Sequence, residues 1–190
     1  MRRRLPNLLT SLRIAAIPVL AALAFSNERE MFGALLIACL VGDVVDGALA
    51  RALGAESALG ALLDSVADTL LFFMTIAGIL VFFSGVVREH AIAFAAVPVA
   101  WLAENVAALV RYRRLSSFHT YMSRAAAVAM GIFVAVLFLW GMRDTLFYSA
   151  VGLALAASAE EFVLLVLLPA WTPDVRGVYW VVRDQQGRSR

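Results

Sequence analysis

Four aspartates, Asp43, Asp46, Asp64 and Asp68, stand inside two apolar runs of the chain, 31–53 and 58–83. A carboxylate near the middle of a membrane helix costs about 2.5–3.5 kcal/mol on insertion scales, so four cost roughly 10 kcal/mol unless cations compensate. Asp43 and Asp46 are three positions apart, and Asp64 and Asp68 four, so each pair lies on one face of its own helix. Opposed, the two faces make an oxygen-rich cage suited to hard divalent cations, Mg²⁺ or Mn²⁺, which bridge protein carboxylates to substrate phosphates. Gly47 and Gly60 remove side chains beside that cage and let a phosphate or nucleotide approach the helix backbone. Gly42 and Gly54 serve equally well as helix-packing glycines.

Such a cage needs membrane helices to position it, and the composition supplies them. The chain has 190 residues, 63% hydrophobic and 16% charged, with a mean hydropathy of +0.86. That is too apolar for a soluble domain and long enough for several spans. Six apolar segments, 11–25, 31–53, 58–83, 90–111, 124–140 and 145–170, are separated by short polar breaks. They predict an all-α integral membrane bundle of six transmembrane helices behind a short juxtamembrane N-terminal segment. The membrane domain is expected over 1–170, with a polar, basic cytoplasmic tail over 171–190. The lone cysteine, Cys39, excludes an intramolecular disulfide and reads as core packing. No small-residue cleavage site closes the apolar run behind Arg2, Arg3 and Arg4, so no removed signal peptide is expected.

Arginine placement orients the bundle. With a cytoplasmic N-terminus, only Arg29, Arg88 and Arg143 of the 16 basic residues fall on the opposite side, a strong positive-inside bias. The turn near Ala55 is then cytoplasmic. Asp46 and Asp64 lie about 13 Å from it, and Asp43 and Asp68 about 19 Å, at 1.5 Å of rise per residue. Antiparallel neighbours would therefore set the carboxylates at two matching depths.

The run Asp43-x2-Asp46-Gly47-x2-Ala50-Arg51-x8-Gly60-x3-Asp64-x3-Asp68 resembles the signature of the CDP-alcohol phosphatidyltransferases at all eight fixed positions. Pro6-Asn7-Leu8-Leu9-Thr10-Ser11-Leu12-Arg13, with Pro18 beyond it, resembles the family's entry into its first helix. The resemblance spans 5–170. It implies transfer of a phosphatidyl group from CDP-diacylglycerol to an alcohol, with release of CMP. Asp43, Asp46, Asp64 and Asp68 would hold two divalent cations over the pyrophosphate, and Asp68 would also take the acceptor's proton. Asn7, Thr10, Gly47, Ala50, Arg51 and Gly60 would line the donor site. The N-terminal pattern is similar to that of phosphatidylglycerophosphate synthases, making glycerol 3-phosphate the leading acceptor, ahead of inositol phosphate, serine or a lipid alcohol. The family also implies a homodimer in a bacterial-type inner or plasma membrane with a cytoplasmic active site. Small residues such as Ala34, Ala38, Ala77 and Gly78 could support that dimer.

Outside the signature the densest polar stretch is Arg111-Tyr112-Arg113-Arg114 with Ser116–Arg124. It is the expected acceptor site, with Arg124 facing an anionic group and His119 and Thr120 orienting a phosphate or hydroxyl. Arg111, Arg113 and Arg114 read as anchors to anionic lipid. Glu104, Asn105, Glu160 and Glu161 are further intramembrane polar residues; the adjacent glutamates point about 100° apart, so one is expected in a cavity and the other beside an arginine or helix break. Trp101, Trp140, Trp171, Tyr179 and Trp180 read as interfacial anchors. No nucleic-acid partner is expected. Two rival readings of the aspartates are an intramembrane Mg²⁺-dependent prenyltransferase and a non-enzymatic cation carrier; the latter is disfavoured by the lack of internal repeats.

Overall fold

The computed structural model describes residues 5–53, 58–114, 118, 120–172 and 175–188; among these, the side chains of 5–9, 44, 46–53, 58–59, 61–62 and 184–188 fall outside the description. The described elements are all helices: α1 (Leu5–Phe25), α2 (Arg29–Leu53), α3 (Ala58–Phe82), α4 (Ser84–Glu89), α5 (Ala91–Tyr112), α6 (Tyr121–Trp140), α7 (Asp144–Leu167) and α8 (Val178–Arg188). The six long ones coincide with the six apolar segments, as expected of runs that must satisfy every backbone group internally in lipid. Two more helices, α4 and α8, occupy stretches expected to be a connection and a polar tail.

Four of the long helices are long and apolar enough to cross a membrane: Leu63–Phe82 within α3, then α5, α6 and α7. Among the residues whose side chains are described, α1 contributes the apolar stretch Thr10–Phe25; the whole helix, Leu5–Phe25, has 21 residues and reaches about 32 Å at 1.5 Å per residue. α2 carries Asp43, Asp46 and Arg51 among its apolar residues.

The chain divides into two compact units, Met1–Arg88 with Leu137–Gly141, and Glu89–Val136 with Met142–Arg190. In the first, α1 packs against both α2 and α3, while α2 and α3 touch each other far less. α1 thus lies against both of the helices that carry the carboxylates. The core takes Leu20 from α1, Phe32, Leu36 and Cys39 from α2, and Ala67, Leu71 and Ile79 from α3, all buried. The Phe32 ring lies 5.2 Å from that of Phe82 and 5.5 Å from that of Phe138. Gly78 faces this cluster: a Cβ there would run into the ring of Phe32. This small residue therefore serves packing within the unit, whereas a Cβ on Gly42 would meet nothing within 4 Å.

In the second unit α5 packs against α7. Ala108, Phe118, Leu164, Leu165 and Val175 form a buried cluster, flanked by Tyr112, Phe162, Val178 and Val181. The Tyr112 hydroxyl donates to the carbonyls of Leu165 (3.1 Å) and Leu168 (2.7 Å), and Arg111 Nη2 donates to Leu168 (3.2 Å). The last turn of α7 thus finds donors on α5 for carbonyls that its own helix leaves unbonded. Elsewhere in this unit Phe94, Phe133 and Phe147 stack with centroids 4.5–6.3 Å apart. His90 meets the Tyr148 hydroxyl through Nδ1 at 2.9 Å.

Gly78→Ala should destabilise the first unit by about 1–3 kcal/mol, the usual cost of overpacking a filled core, because the fully buried Phe32 ring is held by two other rings and cannot yield. Gly42→Ala should be close to neutral. Thermal unfolding of both variants in one detergent checks the contrast.

Candidate active site

Arg13 lies on α1, three residues after the buried Thr10 and on the same helical face. Its side chain is only 5% exposed. Nη1 donates to Asp43 Oδ1 at 2.6 Å and to Asp68 Oδ1 at 2.8 Å, and Nη2 donates to Asp64 Oδ1 at 2.5 Å. One guanidinium from α1 therefore gathers carboxylates from α2 and α3. The shared Nη1 brings Asp43 of α2 and Asp68 of α3 together. Short, charge-assisted contacts of this kind are about twice as strong as neutral hydrogen bonds, and they balance a charge that α1 could not otherwise bury.

Asp43, Asp64 and Asp68 each present an oxygen to one small space, the three atoms lying within 4.8 Å of one another. Their side chains are 39%, 45% and 51% exposed. The cluster is thus closed by Arg13 on one side and uncovered on another. All-oxygen donors, several negative charges and access for water are what Mg²⁺ and Mn²⁺ require, so these residues fit the divalent cations expected of them. Gly60 lies one turn before Asp64 in α3, and Asp46, Gly47, Ala50 and Arg51 follow Asp43 along α2. The side chains of Asn7, Asp46, Ala50 and Arg51, and the surroundings of Gly47, lie outside the described residues.

In the second unit, Arg124 is exposed in the first turn of α6. His119 lies outside the described residues. Thr120 is fully buried, and its hydroxyl oxygen accepts from the Ser123 N–H at 3.1 Å. The Arg124 N–H donates to the Thr120 carbonyl at 3.1 Å. Thr120 is therefore the N-cap of α6, its hydroxyl engaged in starting the helix that carries Arg124. Glu104 and Glu161 are buried. Glu160, within α7, turns its Oε1 to the start of α8, where it accepts from the Val178 N–H at 3.2 Å. Gly177 before it has φ +146°, and a Cβ there would lie 2.7 Å from the same oxygen, so only glycine suits the approach.

The residue that sequence reasoning missed is Arg13. It was counted among the charges of the cytoplasmic side, yet it stands inside an apolar run, as the four aspartates do. A charge in that setting needs a partner of opposite sign, which was the available signal.

Against known proteins, the family model for CDP-alcohol phosphatidyltransferase matches residues 3–167. The chain belongs to that family. It is 43% identical over 70 residues to a Rickettsia bellii protein named CDP-diacylglycerol--glycerol-3-phosphate 3-phosphatidyltransferase, covering 35% of this chain and 39% of that one. A Mycobacterium bovis protein named "Putative cardiolipin synthase" is 39% identical over 83 residues, covering 43% of this chain and 39% of that one. An Arabidopsis thaliana protein, CDP-diacylglycerol--glycerol-3-phosphate 3-phosphatidyltransferase 1, chloroplastic/mitochondrial, is 39% identical over 75 residues, covering 38% of this chain and 25% of that one. The chain spans about two fifths of the length of the first two relatives. No solved structure matches it.

The cap at α6 has a measurable weight. Thr120→Val should lower stability by about 1 kcal/mol, the typical loss of an N-cap oxygen, and Thr120→Ser should recover most of it. Thermal unfolding of the two variants beside the parent reads the difference.

Proposed function

We propose that the chain transfers a phosphatidyl group from CDP-diacylglycerol to glycerol 3-phosphate, releasing CMP, in phospholipid biosynthesis. The observation that carries this is the convergence of carboxylates from α2 and α3 within 4.8 Å, in a chain of the CDP-alcohol phosphatidyltransferase family. The names of the Rickettsia and Arabidopsis relatives support the acceptor. Family membership favours this chemistry over a prenyltransferase or a cation carrier.

Asp43, Asp46, Asp64 and Asp68 are the residues that would hold two divalent cations, which neutralise the diphosphate and polarise the phosphorus under attack. Asp68, about half exposed, takes the proton of the acceptor hydroxyl as that oxygen bonds to the phosphatidyl phosphorus. The bond from phosphorus to the bridging oxygen breaks, and CMP leaves with the electron pair. Gly47, Ala50 and Gly60 leave room for the nucleotide, while Asn7, Thr10 and Arg51 contribute polar contacts to the donor. Arg124 and His119 act on the phosphate of the acceptor, and Thr120 acts by fixing the start of α6.

All six long helices cross the membrane in this proposal. Both termini and the active site lie on the cytoplasmic side, where the arginines concentrate, and the protein works as a homodimer in a bacterial-type inner or plasma membrane. Residues 1–170 are the transferase domain and 171–190 its cytoplasmic tail. A second reading of the acceptor, a lipid alcohol, is favoured by the name of the mycobacterial relative.

Turnover should vanish in excess chelator and return with Mg²⁺ or Mn²⁺. In the restored enzyme, Asp68→Asn should lower kcat by roughly 10²–10⁴-fold, the usual weight of a general base, with donor binding affected less. A near-normal kcat would remove Asp68 from this role.

Incubating the purified enzyme with CDP-diacylglycerol and separate acceptors, then weighing the lipid products, should show phosphatidylglycerophosphate formed from glycerol 3-phosphate. A product formed only with phosphatidylglycerol would select the lipid-alcohol reading instead. Arg124→Ala should raise the KM for glycerol 3-phosphate about ten- to a hundredfold, the loss of one charge-assisted contact, and leave that for the donor nearly unchanged.

A further inference from the structure

Arg13 and a divalent cation draw on the same three carboxylates. The guanidinium nitrogens lie 2.5–2.8 Å from Oδ1 of Asp43, Asp64 and Asp68, and those three residues form the one candidate metal cluster among the described residues. A guanidinium and a divalent cation drawn onto one set of three carboxylates repel each other at close range. Arg13 cannot simply retreat into its surroundings either, because its side chain is almost fully buried and an arginine stays charged under all ordinary conditions. Drawn off these carboxylates, its guanidinium can turn donors to an incoming anion. Oxyanions of a phosphate suit it, because the planar guanidinium fork matches them with two parallel hydrogen bonds.

We propose that Arg13 is an exchangeable counter-cation of the carboxylate cluster: a divalent cation displaces its guanidinium from Asp43, Asp64 and Asp68, and the released guanidinium then binds a phosphate of the nucleotide donor. This rests on the reading of the aspartates as metal ligands given above, and it adds an order of events to it. Metal must come first, since until then the carboxylates hold the arginine that the phosphate needs. Arg13 is accordingly a positioning residue that couples metal binding to nucleotide binding. The chemistry requires a diphosphate or phosphate ester on the incoming molecule, whatever alcohol later accepts the phosphatidyl group.

The test uses the full chain purified in neutral detergent and needs no turnover. Modification of Arg13 by phenylglyoxal, followed by peptide mass mapping, should be slow in chelator, at least tenfold faster in Mg²⁺, and slow again when CDP is added to the Mg²⁺ sample. Mn²⁺ titration followed by electron paramagnetic resonance should show Arg13→Gln binding the ion at least tenfold more tightly than the parent. Arg13→Lys, which keeps the charge and loses the three-way bridge, should fall between them. If Mn²⁺ binds to the parent but the rate at Arg13 is the same with and without Mg²⁺, the exchange is overturned and the metal site stands. An Arg13→Gln protein that is folded and binds Mn²⁺ no more tightly also overturns it. Failure of Mn²⁺ to bind the parent at millimolar concentration would overturn the metal reading itself, and the exchange with it. Because the phenylglyoxal arm uses the unmodified sequence, it decides the question even if an Arg13 variant fails to fold.

Discussion

Charge that has left water must find charge of the opposite sign, and in the first unit that requirement organises three helices. Arg13 is buried, and three aspartates from two other helices surround it at 2.5–2.8 Å. Neither side of this arrangement is tolerable alone: an isolated buried guanidinium and three carboxylates within 4.8 Å of one another would each carry a desolvation or repulsion cost of several kcal/mol. Together they fix the register of α1 against α2 and α3 more tightly than apolar packing could, since leucine and phenylalanine contacts tolerate sliding and a three-way hydrogen-bonded bridge does not. The aromatic cluster of Phe32, Phe82 and Phe138 then completes the packing of the unit.

The second unit obeys the corresponding rule for backbone groups. Helix ends leave carbonyls and N–H groups without partners, and an apolar setting makes that costly. Side chains answer at three of these ends: Tyr112 and Arg111 at the end of α7, Thr120 at the start of α6, and Glu160 at the start of α8. The polar residues of the 111–124 stretch are thus divided between two tasks. Thr120 and Tyr112 hold helices, whereas Arg124 stays exposed at the surface.

The long helices were legible because apolar runs of this length have few other solutions, and the carboxylates because their spacing is rigid and their setting expensive. The convergence of Asp43, Asp64 and Asp68 follows from helical geometry that can be counted on the sequence. Arg13 was not found that way: its place inside an apolar run signals that a partner of opposite sign is needed, but its partners lie on other helices and the local pattern does not name them. The role of Thr120 was missed for a related reason: a hydroxyl before a helix can cap it or face a ligand, and only the direction of the Ser123 N–H decides. The helix α8 escaped because its polar composition gives no strong periodic signal, and its start depends on Glu160, eighteen positions earlier.

The partners of Arg13 are 30, 51 and 55 positions further along the chain. During synthesis α1 is therefore made long before the last carboxylate that neutralises it, a wait of roughly 3–11 s at 5–20 residues per second. Through that interval the bridge at the first helix is incomplete, and the final place of α1 becomes available only when α3 has followed α2. The arginine thus ties the assembly of the unit to the completion of its third helix, so that a chain truncated before Asp68 lacks a contact that its first helix needs.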